Sequence, residues 1–384
     1  MSASWTRWLE ASLAELDDRE LLRDLDALEP ESAVHVRRDG RRLTLFSSND
    51  YLGLSYDDRI RRAAADAARD EGMGPRGSPL ICGYTDRHRA LERELSELKG
   101  TESTLLFPTG FAANLGVMAS LAGPDTAIFS DELNHASIID GCRLARRSGA
   151  ELQVYDHADP ESLDEEMRAS DAERKVVVTD SVFSMDGELA PLDAIADVKA
   201  SHGALLVVDE AHATLVFGAD GAGVARELGV SGAVDVNVGT MSKAFGTLGG
   251  FASTSERMRR WLLNRGRSYI YSTAPPLPIV EAARMAVDVG GGDCKLRDRL
   301  WRHVDRLGEH LGRDLTSPIV PVVLGDEERA LRASERLLEE GIHATAIRPP
   351  TVPEGTSRIR VTLSAAHTED DIDHLAQCLE SLVE

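Results

Sequence analysis

Ala204-Leu-Leu-Val-Val-Asp209-Glu-Ala-His212 is a continuous apolar run closed by an acid. Apolar residues without polar alternation are how a short strand covered on both faces reads. Similar runs lie on either side of it, at Thr104–Phe107, Thr126–Ser130, Leu152–Tyr155, Lys175–Asp180, Val234–Gly239 and Gly249–Ser253. Helical stretches separate most of them. Strands alternating with helices predict an α/β fold with a mostly parallel central sheet flanked by helices.

Pro275, Pro276 and Pro278 mark a break after this region, and Gly290-Gly-Gly-Asp293 reads as a flexible joint. Beyond it the pattern changes to helices over Lys295–Leu311 and Glu327–Glu340, with short strands at Ile319–Leu324 and Arg358–Leu363. Trp5, Trp8, Leu9, Leu13 and Leu16 recur at helical spacing near the start. The expected organisation is an N-terminal helical segment (1–45), a large α/β domain (46–285) and a smaller C-terminal α+β domain (286–384).

The 384 residues carry 65 acidic and 43 basic side chains, a net charge of -22. That balance argues against nucleic acid or an anionic membrane as partner. No apolar run approaches the roughly 18 residues of a membrane span, and the first twenty residues lack a secretory h-region. Cys82, Cys142, Cys294 and Cys378 have no metal-like spacing and read as reduced thiols of a cytoplasmic protein. Lysine occurs only at 99, 175, 199, 243 and 295. So acidic a surface repels itself in dilute buffer and is screened at high ionic strength, which suits a halophilic host, the alternative being an ordinary acidic enzyme.

One of those lysines stands in Thr240-Met-Ser-Lys243-Ala-Phe-Gly246, a small glycine-flanked turn. A buried acid is costly unless paired, so Asp209 needs a cation. The trio of Lys243, Asp209 and His212 suits pyridoxal 5′-phosphate (PLP). The lysine can hold the aldehyde as a Schiff base. The aspartate can pair with the protonated ring nitrogen, and the histidine can hydrogen-bond the ring oxygen. Asp-Glu-Ala-His also serves magnesium in helicases, but that needs a phosphate loop ending in Gly-Lys-Ser/Thr. Gly246-Thr-Leu-Gly-Gly250 lacks the lysine and follows the acids instead of preceding them.

Further candidates also fall just after strands. Thr109-Gly110-Phe111 opens a helical stretch to Ala122, where free backbone N–H groups can cradle phosphate. His135, in Asn134-His135-Ala-Ser137, could stack on an aromatic ring. Gly110, His135, Ser184, Asp209 and Lys243 thus gather at the carboxyl edge of one sheet, where ligands bind in open α/β folds. Arg348, Arg358 and Arg360 are candidate anion anchors, and their spacing does not say which one binds.

The set resembles the α-oxoamine synthases of the fold-type I PLP enzymes, over nearly the whole chain. The resemblance is carried by Phe46-Ser-Ser-Asn49-Asp-Tyr-Leu-Gly53, Gly110-Phe111 with Asn114, Asn134-His135-Ala-Ser137, Val182-Phe-Ser184-Met-Asp-Gly187, Asp209-Glu-Ala-His212, Thr240-Met-Ser-Lys243 and Tyr271-Ser-Thr273-Ala-Pro-Pro276. It implies a PLP-dependent acyltransferase that condenses a small amino acid with an acyl thioester. Lys243 would anchor PLP and take the Cα proton, Asp209 would pair with the ring nitrogen, and His212 and Ser184 would meet the ring oxygen. His135 would stack on the ring. The amides of Gly110 and Phe111 would hold the phosphate with Thr240, helped by Thr273 from the second subunit of a homodimer. Asn49 and Arg360 would hold the amino-acid carboxylate. Ala346-Ile-Arg348-Pro-Pro-Thr-Val-Pro353 is similar to the biotin-pathway branch, which joins L-alanine to a pimeloyl thioester. There Arg348 and Arg23 would receive the distal carboxylate. The competing branch uses glycine and an acetyl thioester.

Overall fold

The structure, a computed structural model, describes residues 1–292 and 294–383. The chain divides into two compact units, one of Asn49–Arg302 and one of Met1–Ser48 with His303–Glu384.

The larger unit is built on seven strands: β1 (Ser103–Phe107), β2 (Thr126–Asp131), β3 (Glu151–Tyr155), β4 (Arg174–Asp180), β5 (Leu205–Asp209), β6 (Val236–Thr240) and β7 (Gly250–Thr254). Their order across the sheet is β1-β7-β6-β5-β4-β2-β3. All neighbouring pairs run parallel except the two made by β7, which is antiparallel to both β1 and β6. Every one of the seven expected strands is present. Val176, Val178, Val207, Val236 and Val238 lie in one apolar core with Phe107, Val117, Ile128 and Ile138. Val177, Leu206, Val208 and Phe251, which point to the other face, are buried too, and this double-sided burial explains why the central strands read as apolar runs. Gly290–Gly292, expected in a flexible joint, instead complete the helix Leu277–Gly292; Asp293 lies outside the described residues. Gly290 packs where an added Cβ would come within 2.8 Å of Leu215.

In the smaller unit, Ser357–Thr362 is the middle strand of an antiparallel three-stranded sheet between Ile319–Gly325 and Thr345–Ile347. The segment 1–45, expected to be helical, is helical over Ala3–Asp18 and then turns to strand. His35–Arg38 and Arg41–Leu45 form a hairpin around Asp39-Gly40. Both turn residues have positive φ, 52° and 76°. Asp-Gly in a two-residue loop is a strong hairpin signal, because the primed turn it adopts matches the strand twist. Among the described residues no helix is long and apolar enough to cross a membrane.

Candidate active site

The carboxyl edge of the large sheet gathers the candidate residues. Asp209 closes β5 and is buried. Its Oδ2 accepts from Asn114 Nδ2 at 2.6 Å and its Oδ1 from the Ala211 backbone N–H at 2.7 Å. His212, three residues on, is also buried, and its Nδ1 shares a 2.6 Å hydrogen bond with the Tyr51 hydroxyl. That hydroxyl also donates to Asn49 Oδ1 at 3.3 Å. Tyr51 is fully buried, so the imidazole of His212 is fixed in orientation from behind.

His135 caps the helix Ala136–Arg147. Its Nδ1 lies 2.7 Å from Ser137 Oγ, and Ser137 Oγ accepts from Asn114 Nδ2 at 2.9 Å. Asn114 therefore bridges the histidine and the acid. The residue is exposed, yet the protein packed about its imidazole lowers its pKa. Lys243 acts in the same direction and Asp209 against it, so both lie within electrostatic reach of the ring. The Phe111 ring stands edge-on to His135, with centroids 6.4 Å apart.

Gly110–Ser120 begins at the end of β1, and Thr109 Oγ1 caps it by accepting from Ala112 N at 3.0 Å. That cap leaves the Gly110 and Phe111 amides at the positive end of the helix. Thr240 closes β6 beside them. Its hydroxyl donates to Gly249 O at 2.8 Å and lies 2.7 Å from Ser242 Oγ. A Cβ on Gly110 would come within 3.0 Å of the Thr240 side chain, so the missing side chain keeps the cradle open. Lys243 follows in a half-buried turn closed by Gly246 N–H to Lys243 O at 2.8 Å. Gly246 has φ 65°, and a Cβ there would sit 2.2 Å from Ser55 N. Only glycine fits that contact.

An amine, a buried acid, an imidazole and a helix-start cradle with adjacent hydroxyls are a donor set that fits a phosphate-bearing pyridine aldehyde. Ser184 is half-buried in the loop after β4, and Thr273 is exposed. In the smaller unit, Arg360 is buried on the middle strand. Arg23 and Arg348, 325 positions apart, meet: Arg23 Nη2 donates to Pro349 O at 3.1 Å, and Arg348 donates to Glu20 O. Burial first and the Arg23 charge second lower the Arg348 pKa.

A model of the aminotransferase class I and II family matches residues 41–379. The chain belongs to that family. Within it, the chain is 48% identical over 364 residues to 8-amino-7-oxononanoate synthase of Arabidopsis thaliana, covering 90% of this chain and 76% of that protein. It is 46% identical to the synthase of the same name from Anaeromyxobacter dehalogenans, over 98% and 95% of the two chains. A serine palmitoyltransferase from S. paucimobilis, solved with a bound PLP–myriocin aldimine, superposes with a TM-score of 0.92 at 31% identity, over 99% of this chain and 97% of that one. These relatives bear out the α-oxoamine synthase resemblance and the fold-type I architecture expected from the motifs.

Four residues of the site were given no role from sequence. Asn114 and Tyr51 stand inside the quoted motifs, but nothing in their spacing shows what they touch. Ser137 joins His135 to Asn114. Asp180 ends Lys175-Val-Val-Val-Thr-Asp180 as Asp209 ends its own run, and its Oδ2 accepts the His135 backbone N–H at 2.7 Å. The same acid-after-apolar-run signal could have found it.

Proposed function

We propose that this chain condenses L-alanine with a pimeloyl thioester, with loss of CO2 and release of the thiol, to give 8-amino-7-oxononanoate for biotin synthesis. The chain is a PLP-dependent acyltransferase. When bound, PLP supplies an electron sink for the pair left by a departing Cα proton. The residues of this chain do the rest. Lys243 Nζ anchors the cofactor aldehyde and carries the Cα proton. Asp209, held by Asn114 and the Ala211 amide, keeps a proton on the ring nitrogen. His212 and Ser184 face the ring oxygen, with His212 aligned by Tyr51. His135 would cover one face of the ring. The Gly110 and Phe111 amides would bind the phosphate with the Thr240 hydroxyl, whose proton would turn from Gly249 O, joined by Thr273 from a second copy of the chain. Asn49 and Arg360 hold the alanine carboxylate. The working protein is a cytoplasmic homodimer from a halophilic host.

The observation that carries the choice of acyl chain is the meeting of Arg23 and Arg348. The Arg23 charge reaches half-buried Arg348, and two like charges within reach of each other favour an anion beside them. A distal carboxylate supplies that anion, whether the carrier is CoA or acyl carrier protein. An acetyl group, as in glycine C-acetyltransferase, offers neither arginine an anionic partner.

A panel of pimeloyl and acetyl thioesters against alanine and glycine, run at high salt, tests the reading. Pimeloyl with alanine is the expected best pair, and inactivity of every pimeloyl thioester refutes the choice. Lys243→Ala should lose both condensation and the yellow colour of the loaded protein. A wild type that cannot be reconstituted with PLP removes the whole assignment. Light scattering that reports a monomer under active conditions would remove the shared phosphate site.

A further inference from the structure

Two carboxyl groups close neighbouring strands at the same level. Asp180 ends β4 and Asp209 ends β5, and they are register partners in the parallel ladder. Register partners leave a sheet on the same face, from strands about 4.8 Å apart. Both residues are buried, with 4% and 5% of their surface exposed. Two anions so placed cannot both stay charged cheaply in a dry interior.

The hydrogen-bond donors decide which acid keeps the charge. Asp209 receives two, from the Asn114 side chain and the Ala211 amide. Asp180 receives the His135 backbone N–H at 2.7 Å, while its own N–H donates to Asn134 Oδ1 at 2.9 Å. We propose that Asp180 is a positioning residue, an uncharged carboxyl that pins the main chain of His135 and leaves Asp209 the sole anion at the cofactor ring. Naming that ring rests on the function proposed above. The hydrogen bonds close on themselves: Asp180 to the His135 backbone, the His135 ring to Ser137, Ser137 to Asn114, and Asn114 to Asp209. The ladder then returns from Asp209 to Asp180.

The charges around Asp180 agree. Burial and then Asp209 push its pKa well above the usual carboxyl value, with Asp131 adding to the push. The His135 N–H and the Lys243 charge oppose them and are outweighed by the leading pair. The arrangement makes a specific demand. A neutral group of the same shape that accepts the same N–H should serve as well as the acid.

Asp180→Asn supplies that group, and Asp180→Ala removes it. Titration with PLP should give Asp180→Asn an affinity within about twofold of wild type, while Asp180→Ala binds at least tenfold more weakly. A tenfold loss in Asp180→Asn, or wild-type affinity in Asp180→Ala, overturns the proposal. The protonation is read separately, by infrared spectroscopy of cofactor-free protein carrying carbon-13 aspartate carboxyls. A protonated aspartic acid band is expected at neutral pH, lost in Asp180→Asn and retained in Asp50→Asn, whose carboxyl is also raised by burial. Absence of that band from the wild type overturns the proposal even where the variants fold poorly. Failure to bind PLP at all would instead strike the proposed function, because the infrared result does not need the cofactor.

Discussion

Lys99 is one of five lysines in a chain of 384 residues, and it is buried. Its ammonium reaches Glu210 Oε2 at 2.7 Å, Thr214 Oγ1 at 2.8 Å and Ala222 O at 2.6 Å, which uses all three of its protons. Glu210 adjoins Asp209, and its second oxygen accepts Ala225 N–H at 2.9 Å. Both side chains are 1% exposed, so solvent screening does not discount the pair. Lys99→Met keeps the length of the stem and removes the charge. Glu210 is then left as a buried anion with one amide for company. A Cβ on Gly223 would fall 2.5 Å from its oxygens, so the carboxylate is tightly confined where it lies. Breaking one side of a buried pair costs about 3–5 kcal/mol. The variant should therefore lose about that much in urea unfolding at fixed KCl, followed by circular dichroism. Lys99→Met with Glu210→Gln removes both charges and should recover at least half of the loss. More KCl should not rescue the single variant, because salt screens buried pairs weakly. A single variant within about 1 kcal/mol of wild type, or a double variant as unstable as the single one, refutes the picture of a dry, mutually dependent pair.

Three further outcomes are expected. Arg348→Ala should raise KM for the pimeloyl thioester about tenfold to hundredfold, the effect of losing one hydrogen bond to a charged group worth about 1.5–3 kcal/mol; an equal rise for an acetyl thioester counts against the distal-carboxylate role. His367 accepts Ser364 N–H at Nδ1 and donates from Nε2 to Leu45 O, so a proton added to Nδ1 would face an N–H, and burial lowers its pKa from 6.5 to about 4. The unfolded chain then binds the extra proton first, so stability is full above pH 6.5 and declines as pH falls to about 4, by about 3 kcal/mol; His367→Asn should flatten that decline in acid unfolding curves, and an unchanged slope contradicts it. With a net charge of -22, the unfolding midpoint should rise as KCl goes from dilute to molar, and indifference to salt removes the halophilic reading.

What was legible in the sequence follows from what each element had to bury. The central strands of the large sheet are covered on both faces, so they read as apolar runs and the residues that follow those runs stood out, whereas the edge strand β3 is partly exposed. Asp209, Gly110 and Lys243 were found that way. The smaller unit gave weaker signals. His35–Arg38 and Arg41–Leu45 are largely polar strands, and their one hairpin signal, Asp39-Gly40, sits within a segment expected to be helical. The partners of buried polar groups were not legible at all. Tyr51 meets His212 across 161 residues, and Lys99 meets Glu210 across 111. A linear pattern shows that a residue must be buried or must end a strand. It does not show which distant group will satisfy it.

The proposed phosphate cradle shows the difference most sharply. Its pieces, Gly110 after β1 and Thr240 at the end of β6, were both visible as strand-terminal signals. Their meeting depends on β7, the one antiparallel strand, which lies between β1 and β6. Because β7 runs backwards, its first residue reaches the edge where its neighbours finish: Gly250 pairs with Phe107 on one side and Thr240 on the other. A side chain there would collide with the Thr109 carbonyl, whose oxygen lies 2.3 Å from the position a Cβ would take. Glycine at the start of the reversed strand therefore lets the helix beginning at Gly110 come down beside the Thr240 hydroxyl. Direction of a strand is a property of the assembled sheet. No run of apolar residues encodes it, and the cradle exists only once the sheet has set it.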